Sequence, residues 1–504
     1  MAILSGVNEV VFPRGADGRR SSSDLGREVV ADALRAADPA AADAASAERD
    51  WRTGYLRHFR ALVEAGDGYA VAEAGLASVR ARMRVDRDDA GDAPLTGIFA
   101  ADSRAPGTVT AAGPGADSRP PGTVTVVGSG ADSRPLGTVT VAGGEKPERE
   151  LTVPYRGELL RGDALHRQLD AWVAAGTIEE SCAEMVRAVA AEPGWLDLSD
   201  QRLVVLGAGS EMGPLPAVLG WGGTVLGVDL PRPDLWARIA ATARRGAGTL
   251  LAPGTSVETA GADLLTGLPE VARWLLGVEG RLVLGNYVYA PGAAYARLSA
   301  AVDALCTHVI EARPDTALAF LATPTDVFAV PGDVVTQATE RYRHRSRRAR
   351  LGHLLSAERL LTPNYPPGAN PGIADSLVPQ QGPNYALAKR IQRWRASAAR
   401  RAGTTVSFSV APPTRTRSVT ANRLLAAAYA GAHLFDVEIF EPATSNKLMA
   451  ALLVHQLRNP RPAAAEAWRD EARGAAHGGF WRTPYQPRSV LGLAALRGLP
   501  TTLR

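Results

Sequence analysis

RLVVLGAGSEMGPLPAVLGWGGTVLGVDLP, residues 202–231, is the most informative run in this chain. Residues 202–206 are apolar and β-branched over a strand's length, the pattern of a strand buried on both faces. The run breaks at Gly207-Ala-Gly209-Ser210-Glu211-Met212-Gly213, and a short apolar segment follows to Leu219. A second strand-like run, 224–228, ends on Asp229. Strand, glycine turn, helix, strand and acid, in that order, describe a nucleotide-binding βαβ unit. The glycines let backbone approach a pyrophosphate, N–H groups at a helix start favour its charge, and the acid reaches ribose hydroxyls. Pro214 and Pro216 crowd the first helical turn, and the GxGxxxG spacing is looser than the usual fingerprint. The same residues therefore also suit a glycine turn in an α/β core that binds nothing.

Downstream, helical and strand patterns alternate: helix 233–245, strand 248–251, helix 268–276, strand 281–284, helix 293–312 and strand 316–322. A helix from Gly382 to Arg401 and a strand over 404–410 follow, then helices at 420–432 and 445–458. This rhythm predicts an α/β, doubly wound parallel sheet over 201–459 with an insertion at 326–380. The insertion carries Arg341, Arg343, Arg345, Arg347, Arg348 and Arg350 around His344. Such a run reads as a solvated helix face or as a clamp for an anionic substrate.

Upstream, residues 1–45 are rich in Gly, Ser, Asp, Ala and Arg and are expected to be mobile. The region 46–100 reads as helical, with Trp51, Tyr55, Phe59 and Leu62 on one apolar face. Residues 101–142 hold three copies of Ala-Asp-Ser-Arg leading to Gly-Thr-Val-Thr, at 107–110, 122–125 and 137–140. Such copies can stack as short strands, as in small solenoids, but with little bulky apolar surface to offset ordering entropy this repeat is expected to be a poorly ordered insertion without chemistry. Residues 151–200 read as a helical extension packed on the nucleotide domain. The tail, 460–504, contains an aromatic loop around Trp481 and Tyr485.

At 504 residues the chain can bury a large core, and its net charge of +4 gives no argument for a nucleic-acid partner. Cys182 and Cys306 have neither metal-ligand nor redox spacing, which fits a reducing cytoplasm and no metal centre. No run approaches the roughly 20 apolar residues that span a bilayer, and no signal peptide is visible. Arginine dominates the basic residues; Lys146, Lys389 and Lys447 are the lysines.

These pieces resemble the short-chain dehydrogenase/reductase family over about 201–459. Gly207 to Gly213 looks like its glycine turn, with Glu211 where a glycine is usual. Asp263 matches the acid that contacts adenine after the third strand, and Asn286 the asparagine turn after the fourth. Tyr385 and Lys389 match the YxxxK signature. Pro412-Pro413, Thr414 and Thr416 resemble the segment that holds the nicotinamide carboxamide. The resemblance implies hydride transfer between NAD or NADP and a carbonyl or alcohol substrate, in a chain that can form homo-oligomers. Asp229 favours NAD, since a carboxylate repels a 2′-phosphate, while Arg232 leaves NADP open. Two departures stand out. Thr323 and Thr325 occupy the place of the catalytic serine, and the helix-borne catalytic asparagine is absent from 293–312.

Two other classes remain open at this stage. An S-adenosylmethionine methyltransferase also uses a glycine turn and a ribose-binding acid, but has no need of Tyr385 or Lys389. A catalytically idle NAD(P)-binding regulator or scaffold would keep the fold without the chemistry.

Overall fold

The computed structural model describes residues 8–87, 91–99 and 136–502. Seven strands form the central sheet: β1 (Thr138–Ala142), β2 (Gln201–Leu206), β3 (Thr224–Val228), β4 (Thr249–Pro253), β5 (Arg281–Asn286), β6 (Ala317–Ala322) and β7 (Val406–Val410). Their order across the sheet is β7-β6-β5-β2-β3-β4-β1. Neighbours run parallel throughout, except that β1 is antiparallel to β4. The chain thus builds outward from β2 to one side, then crosses over to build β5, β6 and β7 on the other.

Side-chain parity along the strands sorts the core into two halves. Val204, Leu206, Leu226 and Leu284 join one apolar cluster, and Leu203, Val205, Val225 and Val283 the other. Covering both faces is what makes these strands apolar at every position. Five helices position the site: α1 (Ala293–Ala312), α2 (Pro383–Arg401), α3 (Arg423–Gly431), α4 (Pro442–Arg458) and α5 (Pro487–Thr502). α1 and α2 lie on the first face with the N-terminal helices, and α4 lies on the second with the helices Gly162–Ala175 and Glu180–Ala191. Among the described residues, no helix is long and apolar enough to cross a membrane.

Two expectations need correction. Residues 22–46 are not mobile: they form the helices Ser22–Leu34 and Pro39–Ser46, capped by the Ser21 and Asp38 side chains. The small apolar residues Val29, Val30, Ala33 and Ala42 are fully or almost fully buried. The composition suggested disorder because these interfaces are built from alanine and valine. The tail also packs inward. Trp481 is fully buried beside Phe328 and His477, and Arg482 bridges Glu179 and Asp333.

The second correction concerns the repeat. The Gly137–Thr140 end of its third copy leads into strand β1, paired with β4 from Thr138↔Pro253 to Ala142↔Thr249. Val139 and Val141 point into the core, and the Trp274 indole N–H donates to Thr138 Oγ1 at 2.9 Å. Residues 101–135, which hold the first two copies, lie outside the described residues. Since Val141 belongs to the core, Val141→Ala should cost about 1–2 kcal/mol in urea unfolding, the value of two buried methylenes. An unchanged midpoint would show that β1 adds nothing to the sheet.

At the opposite margin, β7 is covered as well. The Phe408 N–H donates to Gln456 Oε1 at 2.8 Å, and Gln456 Nε2 donates to the Phe408 carbonyl at 3.0 Å. The Ala476 N–H donates to the Val410 carbonyl at 2.9 Å.

Candidate functional site

A cavity of about 1050 Å³ opens at the carboxyl ends of the parallel strands, where the strand order reverses between β2 and β5. Open α/β sheets bind ligands at such a switch point, because loops from both halves diverge there. Gly207, Val228, Asn286, Leu321 and Ala411 each line it from the end of a different strand. The predicted residues Gly207, Gly209, Ser210, Glu211, Met212, Asp229, Asp263, Asn286, Thr323, Thr325, Tyr385, Lys389, Thr414 and Thr416 all lie in its wall. Gly213 does not. Its carbonyl instead accepts a hydrogen bond from the Asn446 side chain on α4.

Sterics explain the first two glycines. Gly207 has φ +84°, and a Cβ there would sit 2.7 Å from the Tyr287 carbonyl oxygen. A Cβ on Gly209 would lie 2.5 Å from Leu235 Cδ1. At Gly213 no such crowding exists, so the third glycine is not required by packing. Asp229 Oδ2 accepts from the Gly209 N–H and Oδ1 from the Leu230 N–H, each at 2.8 Å. The acid thereby fixes the shape of the glycine turn and keeps lone pairs for further donors.

Glu211, standing where a third small residue was expected, binds across the cavity mouth. Its carboxylate accepts from the Arg417 N–H at 2.8 Å and from Arg417 Nε at 2.9 Å. The segment 414–418 is thus strapped to the glycine turn. Thr414 is buried, with its hydroxyl 2.6 Å from Ser445 Oγ on α4.

Tyr385 and Lys389, one turn apart on α2, face the same space. Tyr385 stands among aromatic rings, 5.5 Å from Tyr295 and 6.4 Å from Tyr289 between centroids. Burial pushes its phenol well above the ordinary value, and Lys389 and a hydrogen bond with Thr323 offset this only in part. Thr323 Oγ1 and Thr325 Oγ1 are 2.9 Å apart, and Gln381 Nε2 donates to Thr325 Oγ1 at 2.9 Å. The hydroxyl beside the tyrosine is therefore Thr323, with Thr325 held behind it. Lys389 Nζ donates to the Leu321 carbonyl at 3.2 Å and to Gln392 Oε1 at 3.4 Å, both neutral partners.

Gln392 is the residue that the sequence reading missed. Its Nε2 donates to Tyr295 Oη and to Ser299 Oγ on α1, each at 3.3 Å. A side-chain amide thus links the lysine to α1, the helix that lacks an asparagine. The signal was its place three residues after Lys389 on one helix face. Tyr429 was missed too. It lines the cavity from α3, and burial pushes its phenol up to about 12.

None of the arginines from 341 to 350 is in the cavity wall. Arg341 donates to the carbonyls of Ala175 and Arg482, and Arg345 lies 3.7 Å over the Tyr342 ring. The helix Arg347–Leu355 buries no side chain. This segment is a solvated surface in the described structure, and the anion clamp is not assembled there. No protein-family model matches this chain, and no curated protein matches it.

Proposed function

We propose that this chain is an NAD(P)-dependent oxidoreductase of the short-chain dehydrogenase/reductase type, acting on a carbonyl or alcohol. The observation that carries the reading is the meeting of Thr323, Tyr385 and Lys389 in the cavity that also holds the glycine turn and Asp229. The six parallel strands support it: taken as β4-β3-β2-β5-β6-β7, they have the strand order of a dinucleotide-binding sheet. A methyltransferase reading leaves the tyrosine–lysine pair without work.

The residues present fit such a cofactor. Gly207 and Gly209 let the turn pack closely on Tyr287 and Leu235, which any Cβ would strike, and hold its backbone in the cavity wall. Asp229 is suited to ribose hydroxyls, Asp263 with Leu264 and Leu265 to the adenine, and Lys389 to the second ribose. Arg232 shares the wall near Asp229, so a 2′-phosphate also has a counter-charge. When bound, the nicotinamide supplies or accepts the hydride. The protein's own part is to orient the carbonyl and move one proton. Tyr385 Oη donates that proton to the carbonyl oxygen in reduction and takes it back in oxidation. Thr323 holds the phenol and the substrate oxygen together. Lys389 stabilises negative charge on the phenolic oxygen, and Gln392 keeps the lysine in place.

Titration with NAD(H) and NADP(H), followed by calorimetry, tests the reading. Asp229→Ala should weaken the preferred dinucleotide by roughly 1–3 kcal/mol, the scale of hydrogen bonds to a charged group. Binding of neither dinucleotide to the unaltered chain would end this proposal.

A further inference from the structure

The cavity wall divides by charge. Glu211, Asp229, Arg232 and Asp263 lie at the glycine turn and beyond the ends of β3 and β4, and Arg417 is paired with Glu211. Past Tyr385 the character changes. α3, α5 and the loops beside them contribute Leu425, Tyr429, Phe435, Phe480, Val490 and Leu491, with no ionisable carboxylate, amine or guanidinium.

These two helices form a unit of their own. A Cβ on Gly431 would meet the Ala494 carbonyl oxygen at 2.1 Å, and one on Gly498 the Ala427 carbonyl oxygen at 1.9 Å. Their backbones touch, and Ala427, Ala428 and Ala495 make a small apolar cluster separate from both halves of the main core. The pair therefore roofs the cavity rather than extending the sheet's packing. Its larger apolar side chains, Leu425 and Leu491, are only half-buried and turn to the cavity. The volume, about 1050 Å³, reaches the upper end of small-molecule sites, roughly 300–1,000 Å³.

Building on the oxidoreductase reading, we infer that the substrate is an uncharged ketone or secondary alcohol whose large apolar skeleton lies beneath the roof of α3 and α5. An anionic head placed there would lose its water without gaining a cationic partner. In reduction, the carbonyl carbon gains a hydride, with its two electrons, from the dihydronicotinamide. The carbonyl oxygen gains the Tyr385 proton, and C=O becomes CH–OH. The roof residues supply binding by burial and leave the reacting group to Tyr385 and Thr323.

Calorimetric binding of alkan-2-ones from butanone to decanone to the full chain, with 2-oxodecanoate as a charged match, tests this directly. Affinity should rise about threefold to fourfold per methylene, the equivalent of about 0.8 kcal/mol, and exceed a hundredfold across the series. The oxo acid should bind at least tenfold more weakly than decanone. Leu491→Gln should weaken decanone about tenfold and leave butanone and the dinucleotide unchanged, while Leu424→Gln, on the roof's outer surface, should change nothing. A flat series, or an oxo acid that binds as tightly as decanone, overturns the inference. Failure to bind NAD(H) and NADP(H) overturns the oxidoreductase reading instead, and the ketone series distinguishes the two.

Discussion

Tyr385→Phe is expected to lower turnover by about 100-fold or more while dinucleotide affinity stays put, since proton transfer by a positioned side chain contributes on that scale. A hundredfold corresponds to about 2.7 kcal/mol of transition-state free energy. The phenyl ring preserves the aromatic contacts with Tyr289 and Tyr295, so the fold is retained and only the hydroxyl is lost. A neighbouring ammonium by itself draws a phenol toward neutral pH. The structure reverses that balance: burial raises the value more than Lys389 and Thr323 lower it. The phenol is therefore protonated throughout the neutral range, as a proton donor must be. Carbonyl reduction should be nearly independent of pH from about 6 to 9. Alcohol oxidation requires the phenolate, so its kcat/KM should climb about tenfold per pH unit over the same interval. Stopped-flow absorbance of the reduced cofactor measures both arms. Wild-type turnover in the Phe variant would remove Tyr385 from the mechanism.

Asp326→Asn should destabilise the chain by about 3–5 kcal/mol in urea unfolding, because it leaves the buried Arg390 guanidinium without its charge partner and Arg393 with Glu471 alone. Asp326 is 2% exposed and accepts from Arg390 at 3.1 Å, from Arg393 at 2.8 Å and from the Val327 N–H at 2.7 Å. Arg393 also holds Glu471 through two hydrogen bonds, at 2.8 and 2.6 Å. Both arginines sit on α2 and neither lines the cavity, so the network fixes the helix that carries Tyr385 and Lys389 to the strand Val327–Val330. Burial by itself raises the carboxyl's pKa, but Arg390 and Arg393 outweigh it and hold it below the ordinary 3.8. Its contribution is thus complete above about pH 4 and fades as pH falls through the folded value. A loss under 1 kcal/mol would mean that solvent reaches the cluster.

The sheet was legible wherever the sequence carried period and punctuation. Thr224–Val228, Ala293–Ala312 and Leu268–Leu276 fall where the apolar pattern puts them, and the glycine turn and the tyrosine–lysine pair meet in one cavity. Two kinds of information were missing. Long-range pairing leaves no local trace, so Val139 and Val141 looked like part of a repeat rather than a strand beside Thr249–Pro253. Interfaces built largely from small residues resemble linkers in composition, which hid Ser22–Leu34 and the roof helix Pro487–Thr502. The buried arginines of α2 were invisible for a related reason. Charge normally marks a solvated face, and only the position of Asp326 and Glu471 shows that this one is interior.

The Gln456 amide, reaching from α4 to the margin of β7, bears on how copies of this chain can meet. A free strand margin is a template for another chain, and proteins that leave one long and flat aggregate through it. Here a side chain imitates a neighbouring strand, satisfying the N–H and C=O of Phe408 at once. At the far margin, the short antiparallel β1 ends the parallel ladder. Joining two such sheets through β7 would first require breaking these bonds, so self-association by β-pairing at that margin is disfavoured. A partner copy approaching that margin meets the α4 side chain Gln456 rather than an open strand, so contacts there would pack on helix surface instead of extending the sheet.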